Sequence, residues 1–163
     1  MAARQGVNVH LGEEFKRVAN SLREVDRALP GKLRKDLEKA VRPAVADAKA
    51  HVRAVPVQGQ KHTGLRRRIA RGVKIQARTS RSPVLRVLST MTDPQEQGLP
   101  GYLDDPAKGW RHPVFGNRDK WVSQHTGAPW FRDVMADHRP EMEHNLQRVL
   151  DDAAETIAAA GRG

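Results

Sequence analysis

The spacing of apolar residues divides the chain before any other property does. Val7, Val9 and Leu11 alternate with polar neighbours, a weak strand signal. From Leu11 the period lengthens: Leu11, Phe15, Val18, Leu22, Val25 and Leu29 recur at four and three, the stripe of an amphipathic helix. Glu13 and Glu14 suit its first turn, where they complement the positive end of the helix dipole. Pro30-Gly31 is expected to end it. A second stripe, Leu33, Leu37, Val41, Val45, Ala48 and Val52, predicts a helix that stops near Val55-Pro56. Pro43 is expected to kink or split it, because proline lacks a backbone donor and clashes with the preceding turn. The alanines of this helix (Ala40, Ala44, Ala46, Ala48, Ala50) allow close approach of another helix or subunit.

Beyond a polar stretch at 57–64 and the run Leu65-Arg66-Arg67-Arg68-Ile69, the pattern becomes two-fold. Val73, Ile75 and Ala77 alternate with Lys74, Gln76 and Arg78, which describes a half-buried strand with a basic outer face. A turn at 79–83 returns the chain as Val84-Leu85-Arg86-Val87-Leu88, an antiparallel hairpin within 69–91. The prolines, glycines and acids of 92–109 read as a long loop, a length that in a compact domain usually serves binding or docking. We also expect Thr92 to Gly109 to be ordered by contacts in an assembly. Lys120 to Gln124 predicts a third strand, and Trp130 to Asp137 a short helix. Pro140 sits well as the first residue of a final helix over 140–160, with Glu141 and Glu143 in its first turn and Met142, Leu146, Val149, Ala153 and Ile157 as its stripe.

The predicted fold is therefore α+β: a small antiparallel sheet packed by long N-terminal and C-terminal helices, with a long Pro/Gly-rich loop. One domain over 1–163 is the expectation, with helices at 11–55, the basic hairpin at 69–91, the loop at 92–109, an aromatic segment at 110–131 and the last helix at 140–160. All three tryptophans, the only tyrosine and two of the three phenylalanines lie between Leu99 and Phe131. Each ring, if buried, contributes roughly 4–6 kcal/mol gross. Trp110, Phe115, Trp121, Trp130 and Phe131 are accordingly expected to form a structural clamp, with room for one of them to be exposed against a partner. The chain as a whole is lean, 38% hydrophobic and 4% aromatic, which suggests a subunit completed by its neighbours.

Charge changes the picture more than composition does. Net charge is +10, and no acidic residue occurs between Asp47 and Asp93, an interval with eleven basic ones. The rest of the chain carries 18 basic residues against 19 acidic, so the excess sits in one segment. Arg66, Arg67, Arg68, Arg71, Lys74, Arg78, Arg81 and Arg86 are the expected basic surface, facing nucleic acid or an acidic protein.

Catalytic chemistry is poorly supported. Without cysteine there are no disulfides, thiol nucleophiles or thiolate metal sites. Glu141-Met142-Glu143-His144 has the spacing of a helical di-metal ligand pair, but no second Glu-x-x-His completes it, and an exposed charged helix start is the plainer reading. His112, Asn117 and His125 resemble a His-Asn-His nuclease motif, yet all three fall in one short irregular stretch. Gly59, Gly64 and Gly72 lack the spacing of a phosphate loop, and the adjacent carboxylates Asp104-Asp105 and Asp151-Asp152 point in divergent directions. We expect no catalytic residue, no metal, no cofactor and no small-molecule substrate. No run reaches the ~18 apolar residues of a membrane span, and the N-terminus lacks a signal-peptide core, so a cytosol-like compartment is expected.

These residues also bear a family resemblance. Val55-Pro56-Val57 followed by Thr63-Gly64-Leu65-Arg66-Arg67-Arg68-Ile69 resembles the a-P-v-x-T-G-x-L-r-x-s-I signature of small phage neck proteins, the tail-completion or head–tail joining proteins of long-tailed bacteriophages. Val114-Phe115-Gly116-Asn117 is similar to that family's v-E-f-G-t element, with Val114 in place of the acid. Pro129-Trp130-Phe131-Arg132 is similar to its P-F-l-r-p-a start of the last helix. The stretch Trp110 to Asn117 looks most like versions from phages of actinobacteria. The resemblance spans about the whole chain. It implies a homo-oligomeric ring, typically a hexamer, between head connector and tail tube in the virion, with genomic DNA passing through its bore. The alternative left open is a free, sequence-independent nucleic-acid-binding protein using segment 61–86.

Overall fold

A computed structural model of the chain describes residues 5–9, 12–56, 64–79, 84–105, 107, 110–114, 117–124 and 129–162. The fold is α+β. In chain order the elements are β1 (Gln5–Val9), α1 (Gly12–Val25), α2 (Leu29–Ala54), α3 (Leu65–Gly72), β2 (Val73–Arg78), β3 (Val84–Ser89), a 3-10 turn (Pro94–Glu96), α4 (Leu99–Asp104), β4 (Trp110–Val114), β5 (Asn117–Gln124), α5 (Arg132–Asp137) and α6 (Arg139–Ala160). Two sheets result, one ordered β1-β3-β2 and a separate β4–β5 pair. The chain divides into two compact units that share no simple sequence boundary.

One unit comprises Gly6–Ala46, Ile75–Val87 and Asp137–Gly163. Its core draws on the apolar stripe expected of each helix: Phe15, Val18 and Leu22 on α1, Leu33, Leu37 and Val41 on α2, and Met142, Leu146 and Ala153 on α6, all buried. Leu150, outside the expected stripe, is buried as well, while Val149 and Ile157 are half-buried. Helix α1 packs on α6. The break between α1 and α2 comes at Asp26, ahead of the expected Pro30-Gly31. The Asp26 carboxylate accepts the N–H of Ala28 at 2.8 Å, the next helix starts at Leu29, and Pro30 falls in its first turn, where its missing donor costs nothing. Pro43 does not split α2, which runs unbroken through it. Pro43 and Lys39, whose carbonyl it leaves without a helical donor, are both on the exposed side, open to water.

Ile75 to Val87 carries the opposed parts of β2 and β3. A five-residue connection between neighbouring strands permits only antiparallel pairing. The Thr79 carbonyl accepts from Arg23 at 2.6 Å, and the Thr79 hydroxyl donates to the Pro30 carbonyl at 3.1 Å, which ties the end of β2 to both helices.

The other unit comprises Met1–Gln5, Asp47–Lys74 and Leu88–Ala136. Its described core includes Val52, Ile69, Val73, Met91, Leu103, Val134 and Met135, with Trp130 and Phe131 at 1% and 0% exposure. The hairpin expected from 69 begins only at Val73, because Leu65 to Gly72 is helical. Gly64 precedes that helix with φ +71, a left-handed conformation open to glycine without penalty. Gly72 ends it at a close approach: a Cβ there would lie 1.9 Å from the Thr90 carbonyl oxygen, while the Thr90 N–H bonds the Gly72 carbonyl at 3.1 Å.

The segment expected as a long loop, 92–109, is partly helical. Asp93 accepts the N–H of Gln95 to start the 3-10 turn, and Pro94 and Pro100 each occupy a first helical turn. Prolines that read as loop formers thus initiate helices. Pro106, Lys108 and Gly109 lie outside the described residues. Among the described residues no helix is long and apolar enough to cross a membrane.

Candidate functional site

The basic residues separate into three kinds once placed. Arg66 turns inward: half-buried, it donates from Nη1 to the Val55 carbonyl just past the end of α2. A carbonyl there has lost its helical donor, so the guanidinium acts as a C-terminal cap rather than as part of an outer surface. Arg68 is partly exposed and pairs with Glu96 at 2.9 Å, an acid recruited from beyond the acid-free interval. Such an exposed pair contributes at most about 1 kcal/mol.

Arg67 and Arg71, one turn apart on α3, and Lys74 at the start of β2 are exposed, and no ion pair joins them to another described residue. In the other unit Arg78 and Arg86 are likewise exposed. There β2 alternates half-buried with exposed positions, β3 buries Leu85 and Val87 on either side of Arg86, and both arginines take exposed positions. Arg81 and Lys61 lie outside the described residues. Five of the eight expected cations are therefore exposed on helices and strands without an ion pair to another described residue.

Of the expected aromatic clamp, the described side chains are Trp121, Trp130 and Phe131. Trp130 and Phe131 meet edge to face, centroids 5.3 Å apart at 61°, a geometry worth about 0.5–1.5 kcal/mol beyond burial. The indole N–H of Trp130 donates to the Pro100 carbonyl at 3.3 Å. Trp121 is not in the core: 48% exposed on β5, it donates from Nε1 to the Arg118 carbonyl at 2.7 Å. The side chain of Trp110 and the whole of Phe115 lie outside the described residues.

Sequence reasoning missed the polar centre of this clamp, Asp104. It is 1% exposed, and its Oδ1 accepts the N–H of Trp130 at 2.8 Å and of Phe131 at 2.6 Å. The Arg132 N–H is 3.3 Å from both carboxylate oxygens, and Arg132 Nε lies 3.3 Å from Oδ2. The carboxylate thus caps the start of α5 from 26 residues away. Burial raises its pKa above the ordinary carboxylate value, against the lowering effect of these N–H groups and of Arg132. Its neighbour Asp105 instead accepts the N–H of Ala107, so the adjacent carboxylates do diverge.

A groove of about 490 Å³ also escaped sequence reasoning. It lies within the unit holding α1, α2 and α6, floored by Leu22, Leu33 and Val149 and edged by Lys32, Asp36 and Arg148. Glu141 and His144 are exposed near the start of α6. Among the described residues, no three His, Asp or Glu side chains stand close enough to share a metal ion.

The chain matches no known family model. Neither curated proteins nor solved structures show a significant similarity to it.

Proposed function

We propose that the chain is a structural subunit of a phage neck, a tail-completion or head–tail joining protein without covalent chemistry. In this reading it assembles as a ring of six copies, contacts head-connector and tail proteins, and lets genomic DNA pass. It works in the virion after assembly in the host cytoplasm. The observation that carries the reading is the exposure of Arg67, Arg71, Lys74, Arg78 and Arg86 on regular elements. Cations held by helices and strands, free of acidic partners among the described residues, suit a polyanion or an acidic neighbouring ring. The order of the Thr63-Gly64-Leu65-Arg66, Val114-Phe115-Gly116-Asn117 and Pro129-Trp130-Phe131-Arg132 elements supports the neck in particular.

The test is to mix the purified protein with tails lacking it, image the products by electron microscopy, and measure duplex DNA affinity at moderate salt. Rings seated on tail ends, with weak DNA binding by the free protein, are the expected result. A protein that forms no ring and binds duplex tightly, with a steep salt dependence, overturns it. That outcome favours the second reading, a free sequence-independent nucleic-acid-binding protein using 61–86, to which the same exposed cations lend themselves.

A further inference from the structure

The β4–β5 ribbon holds an aromatic side chain in water on purpose-built supports. Trp121 pairs across the ribbon with Pro113, and Arg111 pairs with Ser123. Residues two apart on one strand share a face, so Arg111 and Trp121 are diagonal neighbours on the same side. The Arg111 guanidinium lies over the indole, 5.8 Å from its centroid. The indole N–H is satisfied by the Arg118 carbonyl, so the ring's polar edge needs no outside partner. These two supports fix its orientation while nearly half its surface stays exposed.

The setting is cationic. Every residue from Asn117 to Ser123 is exposed, and so is Arg111. Arg118 and Lys120 precede Trp121 by three residues and by one, with the single acid Asp119 between them, whose N–H is held by the Asn117 side chain at 2.9 Å. Among the described side chains of the ribbon, the exposed large apolar ones are Trp121 and Val122. An indole fixed under the Arg111 guanidinium, on a ribbon that also exposes Arg118 and Lys120, matches a ligand with flat faces and regular negative charge.

We propose that this ribbon binds single-stranded nucleic acid, one base joining the Arg111–Trp121 stack and the neighbouring phosphates meeting Arg118 and Lys120. A lone aromatic platform stacks only on a base released from its duplex neighbours, which selects single strands over duplex. The proposal uses none of the basic residues of α3, β2 and β3, and it does not depend on the neck reading.

The full-length protein is titrated with a short labelled oligothymidylate and with a duplex of equal length, following anisotropy and tryptophan fluorescence. Binding to the single strand with quenched tryptophan emission is expected, and Trp121→Ala should weaken it about tenfold, whereas Trp121→Phe keeps most of it. Because the ring is exposed, both variants should melt as the parent does, and Arg118→Gln with Lys120→Gln should lower the salt dependence without abolishing quenching. Equal binding by Trp121→Ala, absence of quenching, or preference for duplex overturns the proposal. So does a Trp121→Ala variant that changes only the sedimentation behaviour, which marks the ribbon as a protein contact. Ring formation on tails is scored separately, so loss of oligonucleotide binding with intact assembly leaves the neck reading standing.

Discussion

Asp104 does at one position what helices usually do with a local serine or aspartate: it satisfies the leading N–H groups of α5. Asp104→Ala removes the acceptor and leaves buried donors unpaired, so a loss of about 3 kcal/mol in urea unfolding is expected. Asp104→Asn keeps one oxygen in place and should cost less. The pH dependence has a definite sign. Burial raises the native pKa, so the native state binds the proton more tightly than the unfolded chain does. The Asp104 contribution is therefore greatest in acid and declines as pH rises through the native value. Unfolding midpoints of the parent relative to Asp104→Asn should fall as pH rises from the ordinary carboxylate value through the raised native one, and then level off; a gap that grows with pH contradicts the assignment. Gly72 poses a purely steric question. A methyl group 1.9 Å from the Thr90 carbonyl oxygen forces backbone apart, and Gly72→Ala should cost about 3 kcal/mol. Gly31→Ala is the control: nothing lies within 4 Å, and it should stabilise α2 by up to about 1 kcal/mol. Thermal melts of the two variants shifting the same way would refute this reading of Gly72.

At the level of elements, the helices were legible where an apolar stripe persisted for three turns or more, as on α1, α2 and α6. The short helices α3 and α4 were not. Leu65 to Gly72 offered no stripe because four of its eight residues are arginine, yet Ile69 and Ala70 bury completely. Leu99 to Asp104 was hidden by Pro100 and Gly101, which taken singly signal a loop. What holds that helix is remote, the bonds from Asp104 and Pro100 to residues 130–132, and no local window contains them. Pro43 was misjudged for the converse reason. Its penalty is real but falls on the hydrated side of α2, where a missing bond is made to water. The penalty should then be recoverable: Pro43→Ala is expected to raise stability by about 2 kcal/mol, the helix-propensity gain less the entropy returned to the unfolded chain. A decrease in the urea midpoint would show that α2 needs its proline for shape.

For the whole molecule, the charge imbalance was visible in the sequence, but its division of labour was not. Counting put eight cations on one surface; folding puts Arg66 on a helix cap and Arg68 in an ion pair, because a carbonyl at Val55 and a carboxylate at Glu96 come within reach only in the native state. The remaining cations belong to two compact units, Arg67, Arg71 and Lys74 to one, Arg78 and Arg86 to the other. This separation can be read through counterion release. Removing one phosphate-binding cation lowers the slope of log K against log salt by about 0.9 for duplex DNA. If the protein grips duplex through these residues, Arg67→Gln with Arg71→Gln lowers the slope by about 2, Arg78→Gln with Arg86→Gln does the same, and the fourfold variant adds the two. Arg66→Gln should instead leave the slope unchanged and cost stability, since its guanidinium faces Val55 rather than solvent. On the neck reading duplex affinity is weak from the outset, and the same paired variants reduce seating on tails in a salt-dependent way. If Arg66→Gln moved the DNA slope or tail seating as much as the paired variants do, the partition between structural and outward-facing arginines would be wrong, and with it the surface on which either function rests.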